Sequence, residues 1–578
     1  MSDTPEDQTG QEQTGMKKGL TRYGDDAFSL FLRKAFIKAM GYTDDALNRP
    51  IIGIADTFSG YNACHKNVPD LIEAVKRGVM LAGGLPVEFP TISIHESFAH
   101  PTSMFLRNLM SMDTEEMIRA QPMDAVVLIG GCDKTVPALL MGAASAGVPA
   151  IVCVTGPMGT GSHKGERLGA CTDCRRMWGK FRAGEIDEAE IEDISAKLVP
   201  TAGTCGVMGT ASTMALMTEA MGMMLPGGAA IPAWAADRLR HAEETGTRAV
   251  QLAKDKVTPD QIITQASVNN AMKTLLAIGG STNGIVHMAA VAGRLGLNVD
   301  LDAFDTMGRE VPTLVNLKPN GVYYMEDLWK AGGLTTILRE IEDLLDLDCM
   351  TVSGRTLGEN LAAMPEGWEQ DVVRPRGNPL YPEGGMVVLR GNLCPNGAVL
   401  KQSAADQGLL VHEGRAVVFE NLEDLALRID SADLDVNPDD ILVLRNIGPK
   451  GAPGMPEAGY IPIPKKLAQQ GVKDMVRISD GRMSGTAFGT IILHVSPEAT
   501  DGGPLALVRT GDRIRLDTPN RSLSLLVDDT EMKSRQAAWT PPPAHKGSDR
   551  GYLKLYLDEV TQAEDGADFG FLKATKGT

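Results

Sequence analysis

The chain has 578 residues, 43% of them hydrophobic and 22% charged, which is too long for one ordinary core and too apolar for an intrinsically disordered protein. Its 56 Lys and Arg residues against 74 Asp and Glu residues give a net charge of −18, which argues against a nucleic-acid or anionic-membrane partner. No apolar run is long enough to cross a membrane, and the acidic N-terminus resembles neither a signal nor a transit peptide. We therefore expect a cytoplasmic protein whose eight cysteines are thiols or metal ligands rather than disulfides.

Residues 1–18 are polar and are predicted to form a disordered lead-in. Beyond them, short apolar strands alternate with amphipathic helices. PIIGIADTF, FPTISI, AVVLIGG and PAIVCVTG are predicted strands, while VPDLIEAVKRGVMLAGG, residues 101–119 and VPALLMGAASAG are predicted helices. Helices dominate from about residue 205 to 345. This order predicts an N-terminal α/β domain over residues 19–370, with a mainly parallel sheet covered by helices.

The stretch from Met364 to Gly385 is rich in Pro and Gly and has no periodicity, and within it residues 371–385 are predicted to be a linker. The segments MVVLRGNL, AVVFENL, DILVLRNI and DMVRIS beyond it are short predicted strands. DRIRLDTPNRSLSLLV is predicted to form two alternating strands around an Asp-Thr-Pro-Asn turn. Residues 386–578 are therefore predicted to form a C-terminal β-rich domain, with a barrel as the expected architecture.

Three cysteines lie in turns or loops that follow a strand or open a helix. Cys132 follows the strand AVVLIGG and precedes a helix, which is the sheet edge where α/β proteins usually bind ligands. Cys205 lies in a Gly- and Thr-rich turn that opens a helix, and Cys64 lies in a polar loop just past a strand. No two of these three are close in sequence, so neither zinc-ribbon nor ferredoxin spacing applies, and Cys205 alone would be interpreted as a packed thiol.

The close pair Cys171-Thr-Asp-Cys174 matches the CxxC spacing of zinc and redox sites. No second CxxC or His pair accompanies it to complete a zinc site, and no thioredoxin-like pattern surrounds it. No chemical role is therefore predicted for this pair.

Glu96 follows the predicted strand FPTISI, Asp133 follows Cys132, and Glu457 lies in a Gly- and Pro-rich loop of the C-terminal half. Each of these alone is compatible with a surface acid, but together they offer the oxygen ligands that Mg²⁺ prefers. Ser484 lies in SDGRMSGTAFGT after a predicted strand, where a serine is either an exposed, activated hydroxyl or part of a structural turn.

Six segments taken together closely resemble the dihydroxy-acid and aldonic-acid dehydratase family, in order, over residues 30–570. They are GGCDKTVPALLMGAASAGVPAI, GTCGVMGTASTM, AIGGSTNGIVHM, VVLRGNLCPNGAVLK, NIGPKGAPGMPE and RISDGRMSGTAFGT. The resemblance implies an N-terminal α/β domain followed by a C-terminal β-barrel domain, in agreement with the predicted elements.

The resemblance also implies the site residues. Cys64, Cys132 and Cys205 match the three thiolates that bind a [2Fe–2S] cluster, which leaves one iron with an open position. Glu96, Asp133 and Glu457 match the Mg²⁺ ligands, and Lys134 matches a lysine that family members carry carbamylated. Ser484 matches the catalytic base, and Thr486 lies beside it in the substrate pocket.

The implied activity is a hydro-lyase reaction that converts a 2,3-dihydroxy acid to a 2-keto-3-deoxy acid. RMSGTAFGT and GTCGVMGTASTM resemble the sugar-acid branch, with substrates such as L-arabinonate, D-xylonate and D-gluconate. The alternatives are a dihydroxy-acid dehydratase of branched-chain amino-acid synthesis and a non-catalytic iron–sulfur sensor. Cys394, Asn396 and the pair Cys171/Cys174 depart from the family pattern. The only partners expected are a small-molecule hydroxy acid and further copies of the chain in a homodimer or homotetramer.

Overall fold

A computed structural model describes residues 14–20 and 23–574. Its N-terminal part is built on a four-stranded parallel sheet with the strand order β2-β1-β3-β4. The strands are β1 Ile51–Asp56, β2 Leu85–Pro90, β3 Ala125–Gly130 and β4 Ala150–Val154. All six residues of β3 are buried, as expected for a strand that has neighbours on both sides and helices on both faces. A small hairpin of β5 Gly161–His163 and β6 Glu166–Leu168 follows.

Helices cover this sheet and form most of the chain between residues 210 and 363. They are α1 Asp26–Lys38, α2 Asp44–Leu47, α3 Val68–Leu81, α4 Ser103–Ala120, α5 Thr135–Ala146, α6 Thr172–Ala183, α7 Glu188–Ser195, α8 Thr210–Ala220, α9 Ala236–Asp255, α10 Pro259–Ile262, α11 Gln265–Ala277, α12 Asn283–Gly293, α13 Leu301–Glu310, α14 Met325–Lys330, α15 Gly333–Glu340 and α16 Leu357–Ala363. In the part of the chain that the structure describes, no helix is both long enough and apolar enough to cross a membrane.

The C-terminal part is a mixed sheet with the order β14-β13-β9-β10-β11-β12-β8-β7. The strands are β7 Val387–Leu389, β8 Gly397–Leu400, β9 Val411–Phe419, β10 Ile441–Leu444, β11 Arg477–Ser479, β12 Ile491–Ser496, β13 Arg513–Asp517 and β14 Ser522–Leu525. A bridge between Arg390, just past β7, and Ser522 brings the two edge strands together, so the sheet is a nearly closed barrel. Its interior holds every second residue of the strands, as in Val387 and Leu389 or Ile514 and Leu516.

The helices of this part lie outside the barrel. They are α17 Leu422–Arg428, α18 Lys465–Gln469, α19 Asp529–Ala538 and α20 Gly551–Glu559. The last of them packs back on the N-terminal part, because Tyr552 and Tyr556 lie against Phe105 of α4.

The predicted fold class is confirmed: a parallel sheet covered by helices is followed by a barrel-like sheet. The predicted strand FPTISI is wrong beyond Pro90, because the chain leaves the sheet there and residues 91–98 form an irregular segment. At the end of the predicted lead-in, residues 15–17 form a 3₁₀ helix with Met16 buried, and residues 1–13 lie outside the described residues.

Candidate active site

The site forms where three neighbouring strands end. The segments that follow β1, β2 and β3 carry Cys64, Glu96 and Cys132 respectively, and parallel strands bring their carboxyl ends to one edge of the sheet. Cys64 lies in a 3₁₀ helix, Ala63–His65, where the Asn62 side chain accepts a hydrogen bond from its backbone N–H. Cys64 is buried, so its loop is less exposed than its polar sequence suggests.

The predicted cluster cysteines come together at this edge. The sulfurs of Cys64 and Cys132 and a ring nitrogen of His95 lie within 4.8 Å of one another. The Cys205 sulfur lies 3.4 Å from that of Cys171. The hydrogen bond with Cys171 and burial raise the pKa of the Cys205 thiol, and a Cys64 thiolate adds to the rise. The fold therefore gathers the three cysteines from segments more than sixty residues apart.

One of these thiols is prepared to ionise. The hydrogen bond from Cys132 lowers the pKa of Cys64 to about 6 against the opposing effect of burial, and His95 adds to the lowering. A thiolate is the form that binds iron. His95 was not predicted as a site residue, although its place directly before Glu96 is a signal that sequence reasoning could have used.

A second histidine fixes the loop that carries Cys132. The His65 Nε2 atom accepts hydrogen bonds from the backbone N–H groups of Gly131 and Cys132, each at 3.0 Å. Its Nδ1 atom lies 2.8 Å from the Thr57 carbonyl and therefore donates to it. Burial lowers the pKa of His65 to about 4, which keeps the ring neutral and able to accept at Nε2. His65 was not among the predicted site residues.

The predicted carboxylates also meet. Oxygens of Glu96, Asp133 and Glu457 lie within 4.8 Å of one another, although Glu457 comes from the C-terminal part of the chain. The buried Lys134 ammonium lies among them, 3.1 Å from Glu96 Oε2, 3.6 Å from Glu457 Oε1 and in contact with Asp133.

Arg482 is a further buried cation at this point, and it was not predicted. It donates to Glu457 Oε1 at 2.5 Å and to Glu96 Oε1 at 3.3 Å. Three carboxylates thus face two cations. A converging set of carboxylate oxygens around a central positive charge fits Mg²⁺ by donor type, since Mg²⁺ prefers oxygen ligands. The buried thiols beside them fit an iron–sulfur cluster by donor type in the same way.

Ser484 lies in the loop between β11 and β12. Its hydroxyl oxygen is 2.8 Å from that of Thr486. Arg482, two residues earlier in the same loop, pairs with Glu96 and Glu457 and so places the serine loop beside the carboxylates.

Three buried side chains hold the backbone of this serine loop. Asn283 donates to the Met483 carbonyl at 3.0 Å, Lys401 to the Gly485 carbonyl at 3.3 Å, and Thr172 to the Thr486 carbonyl at 3.0 Å. Position 485 must be glycine, because a Cβ atom there would lie 2.5 Å from Ser281 Cβ. The loop is therefore clamped from three separate parts of the chain.

The pair Cys171/Cys174 lies next to this site, contrary to what its sequence context suggests. Cys171 is the N-cap of α6 and contacts Cys205, while Cys174 lies within the first turn of the helix. By contrast, Cys394 is buried in the barrel interior, where its thiol donates to the Leu389 carbonyl.

The chain matches two sequence profiles that together cover most of its length. The profile described as dihydroxy-acid/6-phosphogluconate dehydratase N-terminal matches residues 49–360, and its C-terminal counterpart matches residues 371–567.

Individual relatives span nearly the whole chain. An L-arabinonate dehydratase of Rhizobium leguminosarum bv. trifolii is 47% identical over 96% of each chain. A 6-deoxy-6-sulfo-D-gluconate dehydratase of Pseudomonas putida is 43% identical over 96% of each chain. A dihydroxy-acid dehydratase of Clostridium botulinum is 38% identical, over 93% of this chain and 97% of its own length.

Proposed function

Since the chain belongs to the dihydroxy-acid/6-phosphogluconate dehydratase family and is therefore a hydro-lyase, we propose that it dehydrates sugar acids to 2-keto-3-deoxy acids. L-Arabinonate, D-xylonate and D-gluconate are the substrates we expect. The two sugar-acid dehydratases are 47% and 43% identical to this chain, against 38% for the dihydroxy-acid dehydratase. One observation carries the proposal: buried thiols and a carboxylate cluster meet at Cys132–Lys134, with the Ser484 loop beside them.

In this proposal the thiols and the carboxylates each hold a cofactor. Cys64, Cys132 and Cys205 bind a [2Fe–2S] cluster, while Glu96, Asp133 and Glu457 bind Mg²⁺. When bound, the cluster supplies Lewis acidity toward the departing hydroxyl, and Mg²⁺ supplies positive charge toward the substrate carboxylate and the developing enolate.

Lys134 is proposed to be carbamylated in the Mg²⁺-loaded enzyme. Its ammonium now lies among the three carboxylates, at 3.1 Å from Glu96 and 3.6 Å from Glu457. Addition of CO₂ to the Lys134 amine, with loss of two protons from the ammonium, would replace this positive charge with an oxygen donor for Mg²⁺ at the same point. A carbon-13 NMR spectrum of the loaded enzyme equilibrated with ¹³CO₂ tests the modification, and the absence of a protein-bound carbamate resonance would contradict it.

The chain's own residues move the protons. Ser484 takes the proton from C2 of the substrate, and Thr486 orients the serine hydroxyl through their 2.8 Å hydrogen bond. A serine is a base only as the alkoxide, and the neighbouring Arg482 guanidinium favours that form, as does Lys401 at the pH values where it is protonated. The C3 hydroxyl departs with a proton as water, and the enol left behind becomes the 2-keto acid by moving a proton to C3. Hydrogen and oxygen therefore balance as the loss of one water.

An assay of keto-acid formation tests the function and the substrate class together. Anaerobically reconstituted enzyme is offered L-arabinonate, D-xylonate, D-gluconate and 2,3-dihydroxyisovalerate at equal concentrations. The proposal expects turnover of at least one sugar acid with a higher kcat/KM than that of dihydroxyisovalerate. A preference for dihydroxyisovalerate would instead place the enzyme in branched-chain amino-acid synthesis.

We also propose a homodimer or homotetramer with the site near an interface. Tyr61 and Phe98, which flank the Cys64 and His95 segments, are 77% and 68% exposed and lie against each other. Exposed aromatic side chains beside a buried polar site are typical of a surface that a second subunit covers. Light scattering of the eluted protein measures this directly, and a monomeric mass would contradict it.

A further inference from the structure

The site holds a fourth thiol besides the three that the family pattern implies. The sulfurs form two close pairs, one of Cys64 with Cys132 and one of Cys171 with Cys205, the latter at 3.4 Å. A [2Fe–2S] cluster with four cysteine ligands needs two thiolates on each iron. The four sulfurs therefore match, pair by pair, the ligand set of such a cluster.

Cys171 is held in this position by its neighbours in the chain. The Thr172 hydroxyl donates to the Thr486 carbonyl in the serine loop, at 3.0 Å. The buried Asp173 carboxylate accepts from the Gly169 N–H and pairs with Lys318. Thr172 and Asp173 thus fix the start of α6 to the serine loop and to Lys318. The Cys171 sulfur that contacts Cys205 therefore lies on a segment held by hydrogen bonds and an ion pair.

We propose that Cys171 is a fourth protein ligand of the cluster, on the iron that Cys205 holds. This inference rests on the proposed cluster at Cys64, Cys132 and Cys205. Without substrate, Cys171 closes the coordination position that a three-cysteine site leaves open. Cys171 would give up this position as a free thiolate when a substrate hydroxyl arrives, so the exchange would substitute one ligand for another without transferring an electron.

Cys174 has a place in the same exchange. It lies in the first turn of α6, three residues after the N-cap residue Cys171. A Cys171 thiolate that leaves the iron therefore has a second thiol nearby and stays next to the site, from which it can return after product release.

Thiol alkylation of the wild-type protein tests the proposal without any substitution. Apoprotein, anaerobically reconstituted protein, and reconstituted protein with L-arabinonate are each treated with iodoacetamide, and the labelled cysteines are identified by mass spectrometry. Cys171 is partly exposed, so it should react in the apoprotein, and about tenfold more slowly once it is an iron ligand, because a ligated thiolate is a poor nucleophile. Substrate should restore part of its reactivity. Cys349, which contacts Asn270 in the helical region, is the internal control and should label equally in all three samples.

A variant pair provides the second measurement. Cys171→Ser should change the resonance Raman bands of the iron–thiolate bonds and shorten the lifetime of the substrate-free cluster in air, whereas Cys349→Ser should do neither. Equal alkylation of Cys171 in apo and reconstituted protein, or an unchanged Raman spectrum in Cys171→Ser, would overturn the fourth-ligand proposal while leaving the three-cysteine cluster in place. Wild-type protein that takes up no iron and sulfide would overturn the cluster itself, which is a separate result.

Discussion

Replacing Lys401 with Met should raise the free energy of unfolding of the protein and at the same time lower its rate of turnover. Lys401 directly follows β8, is fully buried, and donates to the Gly485 carbonyl beside Ser484. Among the described residues no carboxylate lies within ion-pairing distance of its ammonium, and burial lowers its pKa from 10.5 to about 7. A buried cation without a counter-charge lowers the free energy of unfolding. Proteins retain such a destabilising group where its charge serves function.

The magnitude follows from that pKa. A drop from 10.5 to about 7 corresponds to about 5 kcal/mol of destabilisation at pH values below 7, where the folded protein must hold the charged form. Between pH 7 and 10.5 the unfolded chain binds more protons than the folded one, so this penalty shrinks as the pH rises. About 2 kcal/mol of it remains at pH 9. Lys401→Met removes the penalty but leaves the Gly485 carbonyl without its donor, a loss of about 1–3 kcal/mol that does not depend on pH.

Thermal unfolding of wild type and Lys401→Met at pH 6 and pH 9 measures this difference. The advantage of the variant should be larger at pH 6 by about 3 kcal/mol. For a domain the size of the C-terminal barrel, the midpoint temperature of the variant minus that of wild type should therefore be about 6–12 °C larger at pH 6 than at pH 9. Turnover of Lys401→Met should fall, because the serine loop loses one of its three anchors and a neighbouring positive charge.

Gln402→Met is the matched control. Gln402 is the next residue, is also buried, and donates to the Gly384 carbonyl of the segment before the barrel rather than to the serine loop. Because this side chain is uncharged, its substitution should change the midpoint by the same amount at both pH values. A difference between Lys401→Met and wild type that does not vary with pH would show that Lys401 is not a buried cation with a lowered pKa.

Three further perturbations separate the parts of the proposed mechanism. Ser484→Ala should lower kcat by about 10²–10⁴-fold with an unchanged visible spectrum of the cluster, and retained turnover would rule out its role as base. Glu457→Gln should weaken Mg²⁺ binding by about 10–100-fold in calorimetric titration while the iron content stays at the wild-type level, and unchanged Mg²⁺ affinity would exclude Glu457 as a ligand. Dialysis against a chelator selective for Mg²⁺ should abolish turnover, and added Mg²⁺ should restore it; full activity in the dialysed enzyme would show that the carboxylate cluster acts without the metal.

Local sequence patterns were sufficient to predict the strands whose burial shows in the order of apolar and polar residues. The all-apolar run of β3 and the alternating β13 and β14 around their four-residue turn are at the predicted places, because burial on both faces or on one face leaves a visible pattern. The end of β2 was predicted too late. Pairing with β1 extends only to Pro90, and the apolar residues Ile92 and Ile94 continue past the end of the sheet.

Some features of the site could likewise be predicted from the local sequence, whereas others could not. That Cys132 lies at a strand end, beside Asp133 and Lys134, is visible in the sequence, because it depends only on the order of strand, turn and helix. That Arg482 pairs with Glu96, or that Cys171 touches Cys205, is not visible, because nothing local to either residue records a partner far away in the chain.

Burial patterns along the chain were enough to predict the order of the elements and the two-part architecture, and six family-like segments were enough to predict the class of reaction. They did not reveal which groups face one another: the cations among the carboxylates, the three side chains that hold the serine loop, and the fourth thiol beside Cys205. Charge pairing and ligand geometry act through distances of a few ångströms in space, whereas the patterns that a sequence displays arise from burial along a single helix or strand.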